Sequence, residues 1–124
     1  MQIKQPLLAD ERNANQAAGQ THTHEFTGST MLAGPEGLIH NHRFAGVTSE
    51  VIPLPGGDHK HGLFTNTDFV LQHLHEVATE TGPAIPVGNE RHVHFVEATT
   101  TLNRGHFHDL IFATLIDDPL RQLI

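Results

Sequence analysis

The stretch HTHEFTGST, His22–Thr30, contains a pattern that the rest of the chain repeats. Two histidines separated by one residue are followed by an apolar residue two positions later and by a threonine four positions after that. Six copies of this unit contain all 12 histidines of the 124-residue chain. The other copies are His40–Thr48, His59–Thr67, His73–Thr81, His92–Thr100 and His106–Thr114. Because the unit is repeated, it is the starting point for predicting both the fold and the chemistry.

Within each unit, the two histidines, an apolar residue, a variable residue and the threonine occupy alternate positions. A period of two is typical of a β-strand, because successive side chains of a strand point to opposite faces. Each unit is therefore predicted to be a strand with two imidazoles, one apolar group and one hydroxyl on the same face. The predicted apolar row is Phe26, Phe44, Leu63, Val77, Val96 and Leu110.

The links between the units indicate how the strands run. They contain 9, 10, 5, 10 and 5 residues. A nine-residue strand is about 30 Å long, whereas a five-residue link reaches at most about 17 Å. A parallel neighbour needs a longer crossover, so the short links predict antiparallel hairpins. We predict an all-β fold with six strands in three pseudo-repeats of about 33 residues, arranged as an antiparallel up-and-down barrel or sheet. A β-solenoid or a trimeric β-fibre is the alternative.

The repeat also defines the predicted domain boundaries. The six-strand domain covers residues 21–116, with an N-terminal extension at 1–20 and a C-terminal tail at 117–124. The extension contains Ile3, Leu7 and Leu8, which could pack on a neighbouring subunit. Its polar middle favours a mobile arm instead.

The paired histidines are predicted metal ligands. On a strand, residues i and i+2 lie roughly 6–7 Å apart on one face, so two imidazoles can lean together on one ion. Alternate strands run in opposite directions and carry their pairs at opposite ends. The first, third and fifth units supply His22, His24, His59, His61, His92 and His94. The second, fourth and sixth supply His40, His42, His73, His75, His106 and His108. Closure around a pseudo-threefold axis would turn each set into a ring of six imidazoles.

Six nitrogen ligands suit ions such as Fe, Co, Ni or Cu, whereas Zn prefers four ligands. A complete shell leaves no open position for metal catalysis. We therefore predict a non-enzymatic metal-binding protein in which the ions stabilise the all-β fold or a homo-oligomeric or filamentous assembly. The alternative is a metalloenzyme with a cupin-like or hydrolytic site.

Two other residue classes lie close to the pairs. The acidic residues Glu25, Glu76 and Asp109 follow a pair directly, so on a strand they point away from the metal face. They are either solvated surface charges or partners of a neighbouring imidazole. The threonines share the metal face, where they either bond to buried backbone or imidazole N–H groups or are ordinary strand residues.

Composition narrows the range of partners. The formal charge of −7 without a basic patch argues against nucleic acid, and no apolar run approaches the ~20 residues of a membrane span. There are no cysteines, so disulfides and thiolate sites are excluded. The absence of a recognisable signal peptide predicts a cytoplasmic protein, with spore or cell-surface association as the alternative.

The outward residues of the last two strands predict that the partner is another copy of the chain. They form an apolar row on an otherwise acidic protein: Val93, Phe95, Phe107, Ile111 and Ala113. Homo-oligomers are expected, as trimers or as end-to-end filaments.

Three segments carry a resemblance to a known family. THTHEFTGST at 21–30, HNHRFAGVTSE at 40–50 and ETGPAIPVGNERHVHFVEATT at 80–100 resemble the YmaF family of small histidine-rich bacterial proteins. The resemblance extends from Thr21 to about Leu120 and implies little about activity. A looser likeness connects the pairs with phage tail-fibre tips, where His-x-His pairs of three chains surround an iron ion. That likeness leaves open that the sites are completed across a trimer.

Overall fold

The computed structural model describes residues 20–117, which form an all-β fold as predicted. The strands are β1 (Glu25–Ser29), β2 (Arg43–Val47), β3 (Ile52–Pro53), β4 (His59–Lys60), β5 (Gly62–Asn66), β6 (Glu76–Glu80), β7 (Ala84–Gly88), β8 (Arg91–Thr99) and β9 (Asp109–Ala113). A 3-10 turn at Pro55–Gly57 precedes β4. No helix in residues 20–117 is long and apolar enough to cross a membrane. The predicted extension and tail lie outside the described residues, apart from Gln20 and Asp117.

Three antiparallel hairpins, β1–β2, β5–β6 and β8–β9, correspond to the three predicted pseudo-repeats. Their registers are equivalent: Phe26 lies opposite Gly46, Leu63 opposite Thr79, and Val96 opposite Phe112. β3 and the additional strand β7 lie in the longer links. β3 pairs with β4 at the start of the third unit, and β7 pairs with β8. The antiparallel arrangement inferred from link length is thus confirmed.

The hairpins do not join into one continuous barrel. Adjacent hairpins are connected at their strand ends, where the residue after each threonine donates its N–H to a neighbouring backbone carbonyl. Met31 N–H, for example, donates to Asp109 O at 2.8 Å, and Leu115 N–H donates to Glu25 O at 2.9 Å. Two-stranded ribbons twist strongly, so the backbone ladder of one hairpin does not continue into the next. The result is three separate hairpins packed around one core, with β3–β4 as a small fourth sheet.

The strands are also shorter than the predicted nine residues, and most begin just after the second histidine of the pair. The reason lies in the threonines. His24 N–H donates to Thr48 Oγ1 at 3.0 Å, while Thr48 N–H donates to His24 O at 2.8 Å. A hydroxyl replaces a backbone carbonyl at this point, so the ladder stops. The nine-residue β8 is the exception because β7 pairs with it beside His92 and His94.

A single layer of apolar side chains fills the space between the hairpins. It consists of the predicted row Phe26, Phe44, Leu63, Val77, Val96 and Leu110, each no more than 6% exposed. Ala98 and Phe112 pack against this layer. The layer is small for the 98 described residues, so apolar burial alone gives this fold limited stability.

Two glycines make room for the aromatic part of this core. A Cβ at Gly46 would lie 2.7 Å from Phe26 Cζ, and a Cβ at Gly28 would lie 2.8 Å from Phe44 Cζ. Because the rings of Phe26 and Phe44 are almost fully buried, they cannot move aside. The sequence pattern therefore uses glycine at the variable position where the opposite strand carries phenylalanine.

We expect Gly46→Ala to lower the free energy of unfolding of the metal-loaded protein by about 1–3 kcal/mol, the usual cost of overpacking a core. Urea unfolding measures this change. Gly62→Ala is the matched control, because its Cβ would meet nothing closer than Ser49 Oγ at 3.6 Å. Equal effects of the two substitutions would show that contact with Phe26 is not the cause.

Candidate metal centres

The twelve histidines gather into two groups at opposite ends of the hairpins. Centre A consists of His22, His24, His59, His61, His92 and His94. Centre B consists of His40, His42, His73, His75, His106 and His108. Within each group, one potential ligand atom per residue lies within 4.8 Å of all the others. These are the two sets expected from strand direction, and each is complete within one chain.

The Nε2 atoms converge in both centres. In centre A, His92 Nε2 lies 3.0 Å from His22 Nε2, 3.1 Å from His24 Nε2 and 3.2 Å from His59 Nε2. The corresponding distances between neighbouring rings in centre B are 3.2–3.3 Å. An octahedron with metal–nitrogen distances of about 2.2 Å places neighbouring nitrogens about 3.1 Å apart and opposite ones about 4.4 Å apart. The spacing therefore fits an octahedral ion in each centre.

The second histidine of each pair, called the inner histidine here, is at most 1% exposed. Its Nδ1–H donates to a backbone carbonyl of a neighbouring hairpin, at 2.8–3.1 Å in all six cases. His24, for example, donates to Leu115 O, and His61 donates to Ser49 O. A carbonyl can only accept, so the proton lies on Nδ1 and the lone pair lies on Nε2. Packing of the three hairpins thus orients every inner imidazole toward the centre.

This tautomer leaves lone pairs facing one another inside each centre. Among the described residues, the Nε2 atoms of His61, His94 and His108 are buried without a hydrogen-bond partner. Buried polar atoms normally have a hydrogen-bond partner. The ligand atoms of each centre lie within 4.8 Å of one another, and lone pairs that face each other at such distances repel. A cation on the axis would satisfy all six nitrogens at once. The residues present therefore fit a bound metal ion.

The threonines support this arrangement from the side. Each inner histidine donates its backbone N–H to a threonine hydroxyl of the hairpin partner, at 2.9–3.1 Å. The hydroxyls of Thr48, Thr67, Thr81 and Thr100 donate in turn to the carbonyl of the next residue. That carbonyl also accepts the Nδ1–H of an inner histidine. Of the two interpretations above, the structure supports the role in bonding buried backbone N–H groups.

The first, or outer, histidines of centre B have backbone partners inside tight turns. Their Nδ1 atoms lie 2.7 Å from Leu38 O, 3.1 Å from Leu71 O and 3.2 Å from Arg104 O. Leu71 and Gln72 both have positive φ, at 52° and 64°, and Arg104 has φ 54°. Such conformations cost non-glycine residues of order 1 kcal/mol or more. Here the turn brings a carbonyl into position to orient an outer imidazole.

The outer histidines of centre A lie close to carboxylates that the sequence pattern did not indicate. Asp58 Oδ1 is 3.9 Å from His59 Nδ1, and Asp117 Oδ1 is 3.7 Å from His92 Nδ1. Asp117 is only 8% exposed, accepts the backbone N–H of His92 and lies 3.7 Å from Arg91 Nη1. Asp58 could have been noticed because it directly precedes a pair. Asp117 lies outside the repeat and carried no signal.

The acidic residues that directly follow a pair are exposed, as predicted for the outer face: Glu25, Glu76 and Asp109. Their carboxylates are solvated surface charges. Another carboxylate, that of Asp68, comes within 3.3 Å of His42 Nδ1. The carboxylates nearest the imidazoles therefore come from the links rather than from the strands.

The electrostatics of the centres favour neutral imidazoles. Burial, followed by repulsion from neighbouring imidazoles, lowers the pKa of His22 to about 4. Burial also lowers the pKa of His24 to about 4 and that of His61 to about 3, against hydrogen bonds from Nδ1–H to carbonyls that act in the opposite direction. Burial is likewise the main cause of lowered pKa values at His42, His59, His75, His92 and His108. Neutral imidazole is the form that binds metal.

The comparison with known proteins agrees with the repeat. Residues 19–116 match the YmaF family, which is described as spore germination protein GerY/YamF. No match was found among curated proteins or among solved structures. The matched region includes all six His-x-His units and therefore both centres. The chain belongs to the YmaF family.

Proposed function

We propose that this is a non-enzymatic metal-binding protein, in which six His-x-His pairs bind two transition-metal ions and stabilise the all-β fold. The observation that supports it best is the convergence of six Nε2 atoms in each centre. Orientation of the inner rings by backbone carbonyls adds support, because metal-binding histidines usually donate their other N–H to such a partner. The buried Nε2 atoms without a hydrogen-bond partner in centres A and B also support metal binding.

The donor set indicates the class of metal. Six imidazole nitrogens in an octahedral arrangement suit Fe²⁺, Co²⁺, Ni²⁺ or Cu²⁺ better than Zn²⁺, which prefers four ligands. Carboxylate oxygens, which Mg²⁺ and Ca²⁺ require, lie behind the imidazoles rather than among the converging Nε2 atoms. We therefore propose one borderline transition-metal ion per centre.

The biological setting of the proposal rests on two observations. The family description refers to spore germination, which supports association with the spore. The predicted outward row supports self-association: Phe95, Phe107 and Ile111 are 44–51% exposed. Val93 is half-buried because β7 places Ile85 opposite it. We propose that bound ions make this histidine-rich protein rigid and that it associates with itself.

A metalloenzyme remains the rival function from another class. Metal catalysis needs a coordination position that a substrate or water can occupy. The two functions differ in an observable way, because X-ray absorption of the loaded protein counts the ligands. Six nitrogen ligands per ion support the non-enzymatic role, whereas one or two water ligands at either centre support an enzyme.

The proposal gives a direct expectation for metal stoichiometry. Protein purified without chelator and without a histidine tag should contain two ions per chain by elemental analysis. His59→Ala with His61→Ala removes two ligands of centre A and should reduce the content to one ion. The corresponding change at His73 and His75 should do the same through centre B.

The matched control for centre A is Lys60→Ala, because Lys60 lies between the two ligands and forms an ion pair with Glu80 on the outer face. It should retain two ions. Wild-type protein with less than one ion per chain would contradict metal binding itself. Loss of both ions from the folded His59/His61 variant would instead contradict two independent centres.

A further inference from the structure

The two ends of the molecule differ in polarity although they are built from the same repeat. Around centre B, the positions two residues after a threonine are occupied by Leu32, Phe69 and Leu102, which are 69%, 68% and 71% exposed. Around centre A, the equivalent positions are occupied by Glu50, Pro83 and Ile116. Large apolar side chains therefore recur with the pseudo-threefold repeat at one end only. Chance exposure of single apolar residues does not produce such a pattern.

Three further apolar residues on the links around centre B are also exposed. Leu38, Ile39 and Leu71 are 54%, 56% and 49% exposed. Leu38 and Leu71 line a shallow cavity of about 200 Å³ whose floor is formed by the outer histidines of centre B. We call these six residues the crown: Leu32, Leu38, Ile39, Phe69, Leu71 and Leu102.

The crown is large enough to serve as an interface. The six crown residues are 49–71% exposed, so together they present an area of the order of several hundred Å², of which most is apolar and the rest backbone. The largest apolar patch of a typical monomer is about 300–600 Å². One partner of a standard protein–protein interface contributes about 800 Å². The crown therefore matches one half of such an interface.

Charge does not prevent two copies from meeting at this end. The links that form it, residues 31–39, 68–72 and 101–105, contain three charged residues, Glu36, Asp68 and Arg104. Only one net negative charge out of −7 thus lies on these links. Both signs are present, so two identical surfaces can meet with opposite charges available to each other.

The first and last described residues lie beside centre A, at the end of the molecule opposite the crown. Thr21 donates its N–H to Glu50 near centre A, and Asp117 accepts the backbone N–H of His92 in the same centre. Neither end of residues 20–117 therefore lies on the crown.

We infer that the crown is a self-interface through which two copies pack end to end around a twofold axis. An isologous contact uses the same patch on both copies and is closed at two. Among the described residues at the centre A end, exposed apolar side chains such as Val87 and Leu115 do not repeat with the pseudo-threefold pattern seen in the crown. We therefore assign the closed, twofold contact to the crown, which gives a dimer. This inference extends the assembly part of the proposed function and does not depend on the identity of the metal.

Light scattering on the full-length, metal-loaded protein tests the inference. The wild type is expected at twice the chain mass of 13.6 kDa. The triple variant Leu32→Ser, Phe69→Ser, Leu102→Ser should be a monomer with unchanged metal content, since these side chains are mostly exposed. A matched triple variant removes three apolar groups that are more than half exposed elsewhere on the surface: Val47→Ser, Phe64→Ser and Val87→Ser, at 57%, 65% and 52% exposure. This control should remain a dimer.

Several results would overturn the inference. They are a monomeric wild type, a mass that rises beyond the dimer with concentration, or a crown variant that stays dimeric. Dissociation only after deletion of residues 1–19 would assign the interface to that segment. Binding of a monomeric wild type to phosphatidylcholine vesicles would assign the crown to a lipid surface. Metal content measured on the same samples separates this test from the proposed function, because a metal-loaded monomer contradicts the interface alone and a metal-free dimer contradicts metal binding alone.

Discussion

Removal of metal by a chelator is expected to lower the melting temperature at pH 7.5 by about 20 °C or more. For a domain of this size, 1 kcal/mol corresponds to roughly 4–8 °C. Structural metal sites contribute several kcal/mol, since the site forms only in the folded state and binding free energy becomes folding free energy. Loss of two ions should therefore exceed the effect of any single core substitution.

The physical reason lies in the composition of the interior. Within residues 20–117, only six apolar side chains form the buried layer, whereas twelve imidazoles converge at its two ends. Without a cation, the Nε2 atoms of three hairpins converge to 3.0–3.3 Å in each centre, and the buried inner Nε2 atoms of His61, His94 and His108 have no hydrogen-bond partner. The hairpins are joined to one another mainly by hydrogen bonds at the strand ends. Metal removal thus weakens the contacts that connect one hairpin to the next.

Circular dichroism during heating, with and without EDTA, measures this effect. EDTA saturated with calcium is the control for effects of the chelator itself. Re-addition of Ni²⁺ or Fe²⁺ should restore the original melting temperature. An unchanged melting temperature in protein that has released two ions would contradict a structural role. It would favour metal storage, for which the metal-free and metal-loaded forms are both folded.

Mild acid is expected to unfold the metal-free protein. The pKa values of His22 and His24 are about 4 in the folded chain, and that of His61 is about 3, mainly because burial disfavours the charged form. In the unfolded chain a histidine has a pKa of about 6.5. Between these values the unfolded chain binds more protons, so the free energy of unfolding decreases as the pH falls. Stability is fully present above about pH 6.5 and is lost progressively toward pH 4 and below.

The size of the effect comes from the number of groups involved. Protonation of all 12 histidines changes the formal charge from −7 to about +5 before any carboxylate titrates. The added charges would form two clusters of six at short range, where like charges repel strongly. Bound metal competes with these protons, so the loaded protein should resist to a lower pH.

Unfolding monitored by circular dichroism from pH 8 to pH 3 checks this expectation for both forms. We expect the midpoint of the metal-free protein near pH 5–6, between the unfolded and folded pKa values. The metal-loaded form should unfold at least about one pH unit lower, and its metal release should coincide with unfolding. Identical midpoints for the two forms would show that the histidines do not hold the metal. A metal-free midpoint below pH 4 would exclude the imidazoles as the cause.

The strand pattern and the grouping of the histidines could be predicted because they depend on local periodicity and link length. Alternation in a unit such as His22–Thr30 places its side chains on one face, and links of five residues permit only antiparallel neighbours. Strand direction then divides the pairs into the two sets that form centres A and B. The ligand role of these histidines stays a prediction until metal is measured.

The length of the strands was predicted less well. Periodicity extends through His22 and His24, but the ladder of β1 begins at Glu25 because a threonine hydroxyl takes the N–H of the inner histidine. A side chain that replaces a backbone acceptor does not alter the period, so the pattern could not reveal it. The hairpins also remain separate sheets because of how their backbones hydrogen-bond. The alternation of side chains along the strands does not reveal this.

The sequence by itself determined which residues share a face, which strands are antiparallel and which histidine pairs lie at the same end of the strands, because each of these follows from spacing along the chain. Only the tertiary structure decided what lies behind the imidazoles. The carbonyls of Leu115 and Ser49 and the carboxylates of Asp58 and Asp117 come from links between the strands. Their positions depend on how separate hairpins pack and how the links fold, and no short-range pattern encodes that packing.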